Sequence, residues 1–411
     1  MTWVTVDRPT SEELDACVQC GLCLPVCPTY RLTGRETASP RGRLQAMSAV
    51  ESGIVDVDET FAGIIDFCLG CRACEPVCPG MVRYGRVLEG ARAEIVSQVS
   101  GRQRRRGWIQ GSVIPSRGVM RAGAGLLSMA QSLGLTRLVP KKYERIIGGA
   151  RRLRGRPRPS IGHVGGTGDA GTIGLLSGCI QDQWFRPVNQ AAIDLLEMAG
   201  HRVEVPKAQT CCGALAAHDG KAKEAHQMAA VNVGAFRDYD MVVATGAGCS
   251  AHLGGYEHWD DNGASVGEVS LDVTVAVARA IDDGRLPQLD TPRGEIAIQD
   301  PCHLRHAQGV IREPRRILEA AGYEVVESDE VAFCCGAAGL YTILQPEASA
   351  QLGNQKADQI RSTGATRVAS ANPGCEMQLR SYLEDDYEIA HPIEWYLAAL
   401  VEASDGGIAS Q

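Results

Sequence analysis

The chain has 411 residues, a net charge of −8 and 44% hydrophobic residues with only 5% aromatic ones, a composition that suits two to four ordinary globular domains. It lacks a run of 18 apolar residues, and its N-terminus lacks a charged stretch followed by an apolar one, so neither a membrane-spanning helix nor a secretory leader is expected. The cytosol, where thiols stay reduced, is then the expected compartment, and the sixteen cysteines call for an explanation other than disulfides.

Residues 1–95 carry the pattern C-x2-C-x2-C-x3-C-P twice. It runs through Cys17, Cys20, Cys23, Cys27 and Pro28, then through Cys68, Cys71, Cys74, Cys78 and Pro79. Three thiolates at this spacing wrap three corners of one cubane, and the fourth, just before proline, points to the neighbouring cluster. The spacing therefore predicts two [4Fe–4S] clusters with crossed ligands. Cys17, Cys20, Cys23 and Cys78 hold one, and Cys68, Cys71, Cys74 and Cys27 hold the other. Zinc is the alternative, but its sites use paired C-x2–4-C motifs rather than three evenly spaced thiols and a crossed fourth. Pro28 and Pro79 turn the chain away after the last ligand, and Gly21 and Gly70 let backbone approach the sulfurs. Between the two runs, residues 41–50 after Pro40 and residues 58–67, beginning Asp58-Glu59, are expected helices.

Residues 96–171 hold no cysteine and read as a basic helical connector and linker. Residues 81–160 contain 18 Arg or Lys against Glu89, Glu94 and Glu144, a net +15 that leaves −23 for the rest. Such a strip suits an acidic partner or an anionic membrane surface, or it is a solvated connector. Leu126, Met129, Ala130 and Leu133 fall at i, i+3, i+4 and i+7 and predict an amphipathic helix. Its apolar seam is expected to pack on its own domain, with a membrane interface as the second reading. Nucleic-acid binding through the arginines at 102–106 is disfavoured, because few aromatic residues accompany them. Residues 151–158 and the glycines at 162–171 read as linker; these glycines precede a strand, the wrong context for a dinucleotide-binding loop.

Residues 172–285 and 286–411 repeat one plan. In the first, 31 residues separate Cys179 from Cys211-Cys212-Gly213, and 35 more lead to Cys249; in the second, 31 separate Cys302 from Cys334-Cys335-Gly336, and 38 lead to Cys375. Expected strands at 173–176 and 296–298 enter the first cysteine of each half. Expected helices at 191–199 and 315–321 pass through an Ala-Gly pair into strands at 201–205 and 323–326, and strands at 241–244 and 367–369 precede the last Gly-Cys. Strand and helix alternate, so two tandem α/β modules with largely parallel sheets are expected behind an α-helical ferredoxin domain.

The cysteines thus fall into four quartets with none left over. Adjacent cysteines such as Cys211 and Cys212 strain a single tetrahedral ion but can serve different irons of a cluster. The quartets Cys179, Cys211, Cys212, Cys249 and Cys302, Cys334, Cys335, Cys375 are therefore candidate sites for one or two further iron–sulfur clusters, with zinc or metal-free thiols as the alternatives. Gly213 and Gly336, and Gly248 and Gly374 before the last cysteines, let backbone come close. His252, His303 and His306 lie near these cysteines in sequence, but core or surface roles are expected for them. There is no phosphate-binding G-x-x-x-x-G-K-[ST] loop and no flavin or nicotinamide fingerprint.

The run Cys17-Val-Gln-Cys-Gly-Leu-Cys-Leu-Pro-Val-Cys-Pro-Thr-Tyr resembles the iron–sulfur subunit of bacterial glycolate oxidase (glycolate dehydrogenase). So do Ser39-Pro-Arg-Gly-Arg, Cys68-Leu-Gly-Cys-Arg-Ala-Cys-Glu-Pro-Val-Cys-Pro, Asp300-Pro-Cys-His-Leu-Arg-His-Ala-Gln-Gly and Asn372-Pro-Gly-Cys. The likeness spans nearly the whole chain and is weakest at 100–165. The cysteine-rich (CCG) modules also look like those of lactate-utilisation proteins, anaerobic glycerol-3-phosphate dehydrogenase and heterodisulfide reductase. The resemblance implies an FAD-containing partner that oxidises a 2-hydroxy acid of the glycolate or lactate type. Electrons would then leave through this iron–sulfur subunit, not catalytic alone, toward a quinone at the inner face of the plasma membrane. The alternative implied is a heterodisulfide-reductase-like subunit with catalysis at a C-terminal iron–sulfur site. In that family the cysteine-rich motif ends in C-x2-C; here His252 and Gln378 stand at those last positions, which counts against a five-thiolate cluster in either half.

Overall fold

The computed structural model describes residues 3–99, 116–135, 149–151, 153 and 160–408. The arginine cluster at 102–106 and most of the stretch 151–158 lie outside the described residues.

The N-terminal region is helical. Ser39 caps the helix Pro40–Glu51 by accepting from the Gly42 amide at 2.9 Å, with Pro40 at its first position. Asp58 caps the helix Glu59–Asp66 by accepting from the Phe61 amide at 2.8 Å. Leu44, Met47 and Val50 from the first helix meet Phe61 and Ile65 from the second, and Val87, Leu88, Ala91 and Ile95 from the helix Tyr84–Gln98. This core props up the two cysteine loops, and both expected helices form within a residue or two of their expected bounds.

The C-terminal part contains two α/β sheets. The first comprises β1 (Val164–Gly165), β2 (Thr172–Leu176), β3 (Arg202–Glu204), β4 (Met241–Ala244) and β5 (Ser270–Asp272), in the order β1-β3-β2-β4-β5. All neighbours are parallel except β1, which runs antiparallel to β3. The second comprises β6 (Glu295–Gln299), β7 (Glu324–Val326), β8 (Arg367–Ser370) and β9 (Glu388–Ala390), in the order β7-β6-β8-β9 and wholly parallel. Helices from both halves share one core. Val188, Leu195 and Leu196 of the helix Arg186–Met198 and Val277 and Ile281 of the helix Val273–Asp282 pack with Ile317 of the helix Arg312–Ala320 and Ile393 and Tyr396 of the helix Pro392–Ile408. The repeat read from the cysteines is thus a pair of sheets joined through a common apolar interior.

Two expectations change. The glycines at 162–171 are not simply a linker, because Val164 and Gly165 form the edge strand β1. A side chain on Gly166 (φ +82°) would meet the His201 carbonyl at 2.0 Å, so glycine there permits close packing rather than mobility. The amphipathic helix does form, as Arg117–Ser132, but Leu126, Met129 and Leu133 face outward, 56–65% exposed, while Ala124 is buried. Its anchoring face is partly polar: Ser128 donates to the Leu153 carbonyl at 2.9 Å and Gln131 to the Arg151 carbonyl at 3.0 Å. Among the described residues no helix is long and apolar enough to cross a membrane.

Candidate functional site

In the N-terminal region Cys17, Cys20, Cys23 and Cys78 line one small cavity. Cys27, Cys68 and Cys71 line a second, and Cys74, Pro40 and Tyr84 belong to the walls of both. The loops curl in the same way at each. Gln19 and Gly21 flank Cys20 with φ of 60° and 81°, and Gly70 and Arg72 flank Cys71 with φ of 65° and 60°. Left-handed residues on either side of the middle cysteine turn its backbone inward. At Gln19 and Arg72 a non-glycine residue carries that conformation, a strain of the sort that gathers at functional loops.

Donors to sulfur come from nearby. The Gly70 amide lies 3.4 Å and the Tyr84 hydroxyl 3.9 Å from Cys68 Sγ; Thr29 Oγ1, 3.3 Å from Cys27 Sγ, gives its proton to the Ala38 carbonyl at 2.6 Å. Burial raises the Cys23, Cys27 and Cys74 thiols above the ordinary thiol range. Ligation as thiolates therefore needs a cationic group between them to offset the charge.

Two arginines support the loops. Arg41 donates to the Gln19 carbonyl at 3.1 Å and is held by Glu36 at 2.8 Å, so it clamps the first loop. Arg43 is fully buried. It donates to the carbonyls of Ile64 and Ala38, both at 2.9 Å, and to Thr29 Oγ1 at 3.2 Å. Burial opposes its charge, but Cys68, Tyr84 and Cys27 more than offset that and hold its pKa above the ordinary arginine value. Arg43 is a fixed positive charge beside the second cavity. Sequence reasoning missed its role; the one available signal was an arginine at a core-facing position of the helix, with Leu44 and Met47 beside it.

The C-terminal cysteines sit beyond the carboxyl ends of the parallel strands, where open α/β sheets bind ligands. Cys179, Cys211-Cys212 and Cys249 follow β2, β3 and β4, and Cys302, Cys334-Cys335 and Cys375 follow β6, β7 and β8. Each quartet is brought together. Cys211 and Cys179 sulfurs are 3.5 Å apart, Cys212 and Cys249 3.2 Å, and Cys335 and Cys375 3.0 Å, while Cys302 and Cys334 share a hydrogen bond. Gly213 and Gly336 follow the paired cysteines with φ of 94° and 83°, and a Cβ on Gly336 would meet Leu352 Cβ at 2.8 Å. Asn372 donates to Cys375 Sγ at 3.5 Å.

The two residues standing at the last motif positions differ. Gln378 donates to the Ser349 carbonyl at 3.1 Å and to Ser349 Oγ at 3.2 Å. His252 is buried, and its Nε2 has no hydrogen-bond partner among the described residues.

The donor chemistry fits iron–sulfur clusters. The eight N-terminal thiols line two small cavities, with the Gly70 amide and the Tyr84 hydroxyl near sulfur, and the C-terminal thiols gather in two groups. Among the described residues no three His, Cys, Asp or Glu side chains converge on a single-ion position.

The second N-terminal cavity adjoins the second C-terminal quartet. The Cys71 and Cys334 thiols interact, and both pack with Leu69, Ala73, Phe333 and Tyr341.

The sequence matches the 4Fe-4S dicluster domain family over residues 13–82 and the cysteine-rich (CCG) domain family over residues 173–254 and 296–380. It is 34% identical to the probable glycolate oxidase iron–sulfur subunit of Bacillus subtilis, covering 92% of this chain and 91% of that one. It is 29% identical to the glycolate oxidase iron–sulfur subunit of Escherichia coli, over 90% of each. One of the subunits of the fumarate reductase (CoM/CoB) of Methanothermobacter marburgensis is 26% identical to it, over 92% of this chain and 70% of that one.

Proposed function

Because the chain belongs to the glycolate oxidase iron–sulfur subunit family, with a dicluster domain that carries two [4Fe–4S] clusters, we propose that it is the electron-transfer subunit of a flavin-dependent 2-hydroxy-acid dehydrogenase. It takes electrons from an FAD-containing subunit and passes them toward a quinone. It works in the cytoplasm, at the inner face of the plasma membrane. The clusters, when bound, supply one-electron storage at potentials that their surroundings adjust.

The observation that carries this reading is the contiguity of the thiol sites. The two N-terminal cavities share Cys74, Pro40 and Tyr84 as walls, and the second touches the second C-terminal quartet through Cys71 and Cys334. We assign Cys17, Cys20, Cys23 and Cys78 to one cluster and Cys68, Cys71, Cys74 and Cys27 to the other. Within this arrangement Arg41 fixes the first loop, Tyr84 directs its hydroxyl at sulfur, and Arg43 holds positive charge at the second site. The quartets Cys179, Cys211, Cys212, Cys249 and Cys302, Cys334, Cys335, Cys375 are the sites for further iron–sulfur clusters. Organisation as a ferredoxin-type domain at 1–95, a connector at 96–171 and modules at 172–285 and 286–411 belongs to the same reading.

Anaerobic co-expression with its FAD-containing partner tests the function. The two chains should co-purify, contain iron and acid-labile sulfide for at least two clusters, and show cluster reduction in EPR on adding a 2-hydroxy acid. A complex reconstituted anaerobically that holds no sulfide, or whose clusters stay oxidised when the flavin is reduced, overturns it.

A further inference from the structure

A cavity of about 110 Å³ lies where the N-terminal region meets both C-terminal halves. Its wall carries chain neighbours of cysteines from three of the four thiol sites. Leu69 and Gly70 of its wall lie between Cys68 and Cys71; His252 lies one helical turn after Cys249; and His303 follows Cys302.

Its lining carries four arginines, Arg72, Arg83, Arg86 and Arg92, of which Arg72 is paired with Glu75 at 2.8 Å and Arg92 lies 3.8 Å from Asp66. Glu89 is the single carboxylate among the described lining residues. That carboxylate is already engaged by His218 Nδ1 at 2.7 Å. Arg92 is fixed in place by the carbonyls of His218 and Cys68, both at 2.7 Å, so part of the positive charge is preset.

Polar capacity here is left unused. His252, His258 and His303 all line the cavity, and each keeps a buried Nε2 without a hydrogen-bond partner among the described residues. His252 is only 6% exposed, so solvent does not satisfy it. The imidazoles are grouped, with the His218 ring 5.2 Å from that of His303 and 6.3 Å from that of His252. Buried polar nitrogens without partners mark a place where a partner is supplied from outside the chain. Leu88 and Trp259 add an apolar side to the same wall.

We propose that this cavity binds a small carboxylate anion at the junction of three thiol sites. Guanidinium forks pair with planar carboxylates, imidazole N–H groups complete the coordination of its oxygens, and the apolar side accepts a short carbon skeleton. The volume admits an acid of a few carbons and excludes a nucleotide. A ligand held there lies against backbone that carries cysteines of the second N-terminal site and against both C-terminal halves. Its binding therefore registers in the redox centres without requiring that the ligand react.

Isothermal titration of the anaerobically reconstituted full-length protein tests this, with oxalate and glyoxylate as probes, inorganic phosphate as comparison and EPR of the reduced clusters alongside. The expected result is saturable binding of one carboxylate per chain, with a changed cluster line shape and weaker binding of phosphate. The double variant Arg83→Gln/His258→Gln removes two lining donors; Arg83 is 70% exposed and, among the described residues, its side chain makes a 3.7 Å ion pair with Glu257, so the fold should survive. It should bind about tenfold more weakly, the scale of one lost charge-assisted hydrogen bond, with unchanged iron content and circular dichroism. Arg237→Gln, distant in sequence and 65% exposed, should bind like the parent. Absence of saturable binding, equal affinity in the parent and the double variant, or phosphate binding as tightly as the carboxylates would each overturn the proposal.

Discussion

Arg43 shows how one side chain links fold and redox site. Its guanidinium satisfies two buried carbonyls and the Thr29 hydroxyl, which itself lies 3.3 Å from Cys27 Sγ. Arg43→Met should cost about 3 kcal/mol in denaturant unfolding, because buried acceptors lose their donor. It should also lower the reduction potential of the second N-terminal cluster, since a nearby positive charge favours the reduced form. Arg43→Lys keeps the charge and loses the fork, so it should recover most of the potential and only part of the stability. Equal shifts of potential in both variants, measured by EPR-monitored redox titration, would contradict the electrostatic role. His391 offers a pH test at the same scale. Its Nδ1 accepts from the Ile393 amide at 3.3 Å, which requires the neutral ring, and burial depresses its pKa to about 4. The unfolded value is about 6.5, so the neutral ring's contribution is complete above pH 6.5 and is lost as the pH falls toward 4. Between pH 7 and pH 5 it should account for about 2 kcal/mol of lost stability. His391→Gln should remove that part of the slope in urea unfolding; an unchanged slope would refute the assignment.

Elements were legible in the sequence where period and capping agreed, and less so where tertiary contacts decided. The two N-terminal helices are announced by Pro40 and by Asp58-Glu59, and in the structure Ser39 and Asp58 cap them. The strands entering the cysteines are apolar runs buried on both faces, and β2, β4, β6 and β8 lie where those runs stand. The edge strands β1, β5 and β9 are two or three residues long, too short for alternation to register. The motif marks the eight N-terminal cysteines as candidate ligands from spacing alone. The arginines, hydroxyl donors and left-handed residues that shape those loops were not legible in this way, because they come together only through packing. The helix Arg117–Ser132 shows the limit most clearly, since its period was right and its direction was not. Small and polar residues, Ala124, Ser128 and Gln131, face inward and take up the neighbouring carbonyls, so the leucine seam is left outside. Leu126→Ser should therefore change thermal stability by less than about 0.5 kcal/mol. Ala124→Glu, which buries a charge, should destabilise by more than about 1 kcal/mol. The opposite ranking in thermal unfolding would mean that the seam is covered.

At the scale of the whole molecule, the N-terminal region docks differently on the two C-terminal halves. On the first it makes imidazole–carboxylate contacts, His218 with Glu89 at 2.7 Å and His226 with Asp7 at 2.9 Å. On the second it adds apolar and thiol contacts to the Arg31–Glu330 ion pair at 2.7 Å, with Tyr341 donating to the Phe67 carbonyl at 3.1 Å, Arg31 over the Phe333 ring at 4.5 Å, and Cys71 against Cys334. The two C-terminal quartets are alike in sequence yet unequal in their distance from the N-terminal thiols, an asymmetry that the repeat alone does not reveal. With all sites loaded, magnetic coupling should therefore join the second N-terminal cluster to the second C-terminal site rather than to the first. Cys334→Ser should abolish that coupling in the EPR spectrum of the reduced protein and leave the signal of the Cys17, Cys20, Cys23 and Cys78 site in place. Cys212→Ser, in the first half, should leave the coupling intact. Loss of coupling in the Cys212 variant, or its persistence in the Cys334 variant, would refute the pairing of the second N-terminal site with the second half.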